Sequence, residues 1–232
     1  MKLHYLNDSR AQRILWFLEE LGLDYELVTY ERNPKTLLAP KQLRAIHPLG
    51  KSPVLEIEDG LVIAESGAIV DYLAERHADG ASEDTSRWVP ERKTEAFERY
   101  RYWMHYAEGS AMTPLLLGLI FSEIVRQSPF IAKPVMRGVE KTMRFKMIEP
   151  ELRKHGAFWE EHLSNSTWFA GDEPTGADIM MSFPLETFVS RSGMVEGKDD
   201  PRYQHVIAFV ERVHAREAYG RALEKGADYA YA

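Results

Sequence analysis

Apolar and polar positions change their spacing several times along the chain, and each change marks an element. Residues 3–6 form a short apolar-rich run that reads as a first strand, closed by the turn residues Asn7, Asp8 and Ser9. Over residues 10–21, Ile14, Leu15, Phe17, Leu18 and Leu21 recur at helical spacing, and Gly22 stands where a helix stops. Residues 25–30 alternate as a second strand. Strand, helix and strand in this order predict a βαβ unit, whose crossover makes the two strands parallel. A polar stretch with a short helix at 40–45 leads to a loop holding Pro48, Gly50 and Pro53. Two short apolar runs, 54–57 and 61–64, then flank Asp59-Gly60, a hairpin signal. A helix opens at Glu65-Ser66-Gly67, with Ile69, Val70 and Leu73 turned inward.

The order βαβα followed by ββα is what a thioredoxin-like domain requires: a parallel pair extended by an antiparallel hairpin, with helices on both faces. The small polar residues after it read as a linker, and everything beyond is helical in pattern. The expected organisation is therefore an α/β thioredoxin-like domain at 1–78, a linker at 79–86 and an all-helical bundle at 87–232. A long helical segment at 90–127 is expected to kink or divide at Pro114. Pro129 and Pro134 mark a break, and helix continues over 135–163 with a bend at Pro150. Near the end, Thr175 and Asp178 have the spacing of a capping box that starts a buried helix.

The composition narrows the chemistry. The chain has 232 residues, is 44% hydrophobic and 28% charged, and carries a net charge of -7. That acidity argues against a broad nucleic-acid surface while leaving room for a basic pocket. There is no cysteine, so a thiol-disulfide oxidoreductase and any protein thiolate nucleophile are excluded. The eight histidines form no metal-ligand spacing, and no metal is expected. The longest apolar run, 115–121, falls short of the roughly 20 residues a membrane span needs. No signal-peptide core precedes the first strand, and a cytoplasmic location is expected.

A strand that ends where a helix begins presents free backbone N–H groups and the positive end of a helix dipole, a setting for an anionic ligand. The loop with Pro53, the hairpin and the Glu65-Ser66 pair, followed in the second half by Thr175-Gly176-Ala177-Asp178, together resemble the cytosolic glutathione S-transferases, in the family's order and over nearly the whole chain. The opening NDSRAQRILWFLEELGLDYE is similar to bacterial and fungal members related to the yeast group. The resemblance implies a detoxifying transferase that uses glutathione as co-substrate against an apolar electrophile, with peroxidase activity as an added capacity, working as a homodimer. It also implies a site. Ser66 would bind the γ-glutamyl carboxylate, Glu65 the ammonium, the main chain of Val54 after a cis Pro53 the cysteinyl backbone, and Lys51 the glycyl carboxylate, helped by His47 or Gln42.

The implied reaction needs a thiolate. A thiol of pKa about 8.5 is only a few per cent ionised at neutral pH, and lowering it by about two units takes roughly 2.7 kcal/mol. One charge-assisted hydrogen bond, about 1.5–3 kcal/mol, supplies most of that. Two hydroxyls qualify as donor by resemblance, Ser9 before the first helix and Tyr5 at the end of the first strand, with Asn7, Asp8 or Arg10 assisting. Their plain alternatives are an N-cap and a core residue. The electrophile would lie against the first long helix, in the region of Tyr102, Trp103, Met104, Tyr106 and Met112, where aromatics at helical spacing also suit a core. A different reading of the same fold is a non-catalytic binding or assembly module.

Overall fold

The computed structural model describes residues 1–58, 60–77 and 88–231. The expected linker, and Asp59 of the hairpin turn, lie outside the described residues. Strands β1 (Lys2–Leu6) and β2 (Glu26–Tyr30) flank helix α1 (Ala11–Glu20) and pair in parallel, with Leu3 opposite Leu27. After a short α2 (Leu43–Ile46), β3 (Val54–Glu56) pairs antiparallel to both β1 and β4 (Val62–Ala64), and α3 (Ser66–His77) follows. The sheet order is β2-β1-β3-β4. This is the thioredoxin-like arrangement expected from the sequence.

Among the described residues the second part holds seven α-helices: α4 (Glu95–Tyr106), α5 (Met112–Gln127), α6 (Lys133–Met143), α7 (Glu149–Asn165), α8 (Gly176–Arg191), α9 (Gln204–His214) and α10 (Glu217–Lys225). Helix α8 is buried along almost its whole length. Its start is the expected capping box: Asp178 Oδ2 accepts from the Thr175 backbone N–H at 2.8 Å, and Oδ1 from that of Phe169 at 2.8 Å. Burial pushes the Asp178 carboxyl up to about 6, against these donors.

Both prolines follow an irregular turn, where a kink or division at Pro114 and a bend at Pro150 were expected. A proline ring clashes with the carbonyl four residues back, Ser110 for Pro114 and Lys146 for Pro150. Both carbonyls lie in π-helical turns, Ala107–Ala111 and Arg144–Ile148. There the chain widens, and the N–H groups of Met112 and Glu149 reach the carbonyls of Ala107 and Arg144, five residues back. The helical run Glu95–Gln127 is thereby continuous, and it is the one described helix long and apolar enough to cross a membrane by length and composition, with a best-window mean hydropathy of 1.3. It exceeds the run counted from sequence because the helix continues past Pro114 on one side and past Ser122-Glu123 on the other.

The α/β part and the helical part meet along α1, which packs against α10 and α8, and along α3, which packs against α8. Residues of α1 from Ala11 to Glu19 are all buried. Close approach is decided at Gly176, where an added Cβ would stand 2.7 Å from Val70 Cγ1 of α3. A larger residue there would push the two parts of the molecule apart.

Candidate functional site

The sheet register assembles the site. Val54 pairs with His4 on one side and with Ala64 on the other. Ser52 and Pro53 directly precede Val54, and Glu65 and Ser66 directly follow Ala64, so both pairs flank this paired position. Ser52 latches the junction: its hydroxyl donates to the His4 carbonyl at 2.8 Å and accepts from the Leu6 N–H at 3.1 Å. The Ser52-Pro53 peptide bond is cis. Around this junction lie the C-terminal end of β1, the first turn of α1 and the first turn of α3.

Glu65 has a φ of +72°, the left-handed region that costs a non-glycine residue about 1–3 kcal/mol. Its carbonyl accepts from the Ile69 N–H at 3.0 Å and so caps α3. The conformation turns the chain from β4 into α3 while its own carboxylate stays exposed and, among the described residues, unpaired. Ser66 is 4% exposed, and its hydroxyl bonds to none of the described residues. Lys51 is exposed and likewise without an ion pair among them. A free carboxylate, a free hydroxyl at a helix N-terminus and a free ammonium thus surround Pro53 and Val54, both buried. Such a set complements a zwitterionic peptide with carboxylates at both ends. His47 is half-buried, with its Nδ1 buried and unpartnered, and Gln42 is exposed.

The two hydroxyls considered as thiolate donors sit apart. Ser9 is buried in the β1–α1 turn, donating to the Leu6 carbonyl at 2.6 Å and accepting from the Ala11 N–H at 3.1 Å. Its only proton is therefore engaged, and donation to a ligand would require release from Leu6. Tyr5 is fully buried and donates to Gln12 Oε1 at 2.9 Å, beneath α1. Burial, with Asp8 and Glu186 nearby, pushes its phenol well above the usual range, so it is a neutral donor turned into the core. Asn7 is held by Arg32, whose backbone N–H donates to the Asn7 side-chain carbonyl at 2.9 Å.

The aromatic stretch of α4 divides. Trp103, Met104, Tyr106 and Met112 are buried, and Trp103 stacks on Phe158 and tilts against Phe169, so these four are core. Tyr102 is half exposed. Joining α1 to the π-helical turn after α4 is a charged cluster missed in the sequence. Glu108, in the π-helical turn, accepts from Arg10 Nε at 2.9 Å and from Arg13. Arg13 is 1% exposed and also donates to the Met180 carbonyl at 2.8 Å. Burial works against the Glu108 carboxylate, but Arg13 and Arg10 outweigh it and hold its pKa below the usual value. A charged Arg13 inside the apolar stripe of α1 was the available signal, since a buried guanidinium demands a partner. No group of three or more acidic or histidine side chains among the described residues is placed to share a metal ion.

A thioredoxin-like sheet with a peptide- and anion-complementary junction, docked through its first and third helices on an all-helical bundle, defines the two-part class to which soluble glutathione transferases belong. Comparison with known proteins agrees. Residues 9–76 match the glutathione S-transferase N-terminal domain family, and residues 132–217 the glutathione S-transferase C-terminal domain family. Glutathione S-transferase 1 of Saccharomyces cerevisiae is 31% identical over 97% of this chain and 94% of its own length. Glutathione S-transferase 3 of Schizosaccharomyces pombe is 30% identical over 97% and 88%. The solved glutathione S-transferase of Actinobacillus pleuropneumoniae superposes with a TM-score of 0.72 at 34% identity, covering 97% of this chain and 91% of that one. The chain belongs to the glutathione S-transferase family.

Proposed function

We propose that the chain binds glutathione at the β3–α3 junction and activates its thiol as thiolate for attack on an electrophilic, apolar substrate, in a detoxifying role. The observation that carries this reading is the set of unpaired groups gathered by the sheet register: Lys51, Glu65 and Ser66 around Pro53 and Val54. Ser66 and the first amides of α3 receive the γ-glutamyl carboxylate, Glu65 the ammonium and Lys51 the glycyl carboxylate, while the Val54 main chain pairs with the cysteinyl residue as a strand would. The thiol then lies toward the first turn of α1. There Ser9, released from Leu6, or the Asn7 amide donates to sulfur, with the helix dipole adding to the effect. In the reaction the thiol proton leaves to solvent and a sulfur–carbon bond forms. The bond to the leaving group breaks, and that group departs with the electron pair. With a hydroperoxide, the same thiolate attacks the terminal oxygen, the O–O bond breaks to release the alcohol and leave a glutathione sulfenic acid, and a second glutathione thiol displaces water from it to form the disulfide. The protein works as a homodimer, a reading supported by apolar side chains that stand exposed on α4 to α7, including Tyr102, Ile120, Ile124, Phe145 and Phe158.

The engaged state of both Ser9 and Tyr5 favours a second reading, a binding module that holds glutathione without ionising it. The ultraviolet thiolate absorbance of bound glutathione, followed against pH, separates the two. A thiol pKa lowered by about one unit or more, with the shift lost in Ser9→Ala or Tyr5→Phe, establishes the enzyme and names the donor. Binding without any shift establishes the module.

A further inference from the structure

Asp8 is a non-glycine residue with a φ of +46°, in the turn that joins β1 to the first helical turn of α1. An L-residue enters this region at a cost, so something must hold it there. Two contacts come from a segment more than two hundred residues away. The Asp8 backbone N–H donates to the Asp228 carbonyl at 3.3 Å, and Asp8 Oδ1 accepts from the Ala230 N–H at 2.8 Å. The Asp8 carbonyl accepts from Arg32 Nη2 at 3.3 Å.

The segment 226–231, which follows α10, is itself anchored on α8. The Tyr229 hydroxyl donates to Glu186, which is 2% exposed, and Arg191 Nη2 donates to the Ala230 carbonyl at 3.2 Å. The Tyr231 ring packs on Phe183 at 5.2 Å, and the Arg10 guanidinium stands 5.5 Å from the centre of that same Phe183 ring. The turn is therefore gripped from two sides: Arg32 holds Asn7 and the Asp8 carbonyl, and the segment holds the rest of Asp8.

We propose that Asp8 is a positioning residue through which the segment after α10, docked on α8, fixes the β1–α1 turn, and with it the donors that face the glutathione sulfur. The inference rests on the glutathione-activating function proposed above. Its physical basis is preorganisation: donors stabilise a developing charge only when held at the position it will occupy, and a small displacement forfeits most of the gain. The sign of the effect sets this role apart from a plain electrostatic one. The Asp8 carboxylate opposes a nearby thiolate, so if charge alone mattered, removing it would lower the bound thiol pKa. Positioning predicts the reverse for a variant that also loses the hydrogen bond.

The test is the thiolate titration of bound glutathione, with kcat and KM measured on chlorodinitrobenzene, for the parent, Asp8→Ala, Asp8→Asn and Ala230→Pro. Asp8→Ala is expected to raise the bound thiol pKa by about one unit, a loss of thiolate of about tenfold at a pH below both the parent and the variant values, where the kinetics are read. Its kcat falls about tenfold, with KM for glutathione within about twofold of the parent. Asp8→Asn keeps a carbonyl acceptor for the Ala230 N–H and restores the parent pKa or a lower one. Ala230→Pro removes the same hydrogen bond from the far side, repeats the loss, and serves where Asp8→Ala does not fold. A parent that leaves the thiol pKa unmoved overturns the functional reading itself. A parent that lowers it, together with an Asp8→Ala or Ala230→Pro protein that lowers it equally, or an Asp8→Asn protein as impaired as Asp8→Ala, overturns the positioning role alone.

Discussion

Ser66 and Glu65 do different work from neighbouring positions, because one is buried at the mouth of a helix and the other is turned out by a left-handed backbone. The Ser66 hydroxyl has no partner among the described residues and is not one of the sealed, unsatisfied side-chain atoms, so it opens to the junction, where a ligand or water can answer it. Ser66→Ala removes a hydrogen bond to a charged group, about 1.5–3 kcal/mol, and is expected to weaken glutathione binding roughly tenfold to a hundredfold by calorimetry, leaving the fold intact. An unchanged affinity would place the γ-glutamyl carboxylate elsewhere. The strand-to-helix turn that carries this pair was legible in the sequence as a local pattern, while its ligand role was implied by resemblance. Ser9 was less so. Its position beside α1 could be read, but the carbonyl that takes its proton belongs to the turn's three-dimensional course.

At the level of elements, the long helices are held to the α/β part by a buried charge as well as by apolar contact. Arg13 relies on Glu108 of the π-helical turn after α4, and its Nε has no partner. Glu108→Ala would strand a guanidinium that is 1% exposed, and is expected to cost about 3 kcal/mol in denaturant unfolding. The carboxylate's folded pKa lies below its ordinary 4.5, so the contribution is fully present above about pH 4.5. It is lost as pH falls through the folded value. The unfolding midpoint of the parent should therefore drop in acid more steeply than that of Glu108→Gln. A steeper acid loss in the variant would show that the pair does not brace these two elements. The π-helical turns belong at this level too: prolines announced an irregularity in the sequence, and the structure shows its form, a widened turn through which the helical run continues.

For the molecule as a whole, the apolar surface left on α4 to α7 is the one assigned to the proposed homodimer. Light scattering should give twice the 26.7 kDa of the chain, and a charge placed at an exposed apolar position, Ile120→Lys, should shift the mass toward that of one chain. A single-chain mass for the parent would leave that surface without the proposed partner. The sequence by itself determined the order of elements, the two-part organisation, the capping box at Thr175 and the Glu65-Ser66 turn. Each follows from hydrophobic period, turn chemistry or capping among residues close together in the chain. Only the tertiary structure decided that Tyr5 and most of the α4 aromatics are core, that Arg10 and Arg13 converge on Glu108, and that residues 226–231 return to grip Asp8. These outcomes depend on which surfaces of distant segments meet. A buried charge or a strained turn becomes intelligible only when the partner that satisfies it is in place, and nothing in the local pattern names that partner.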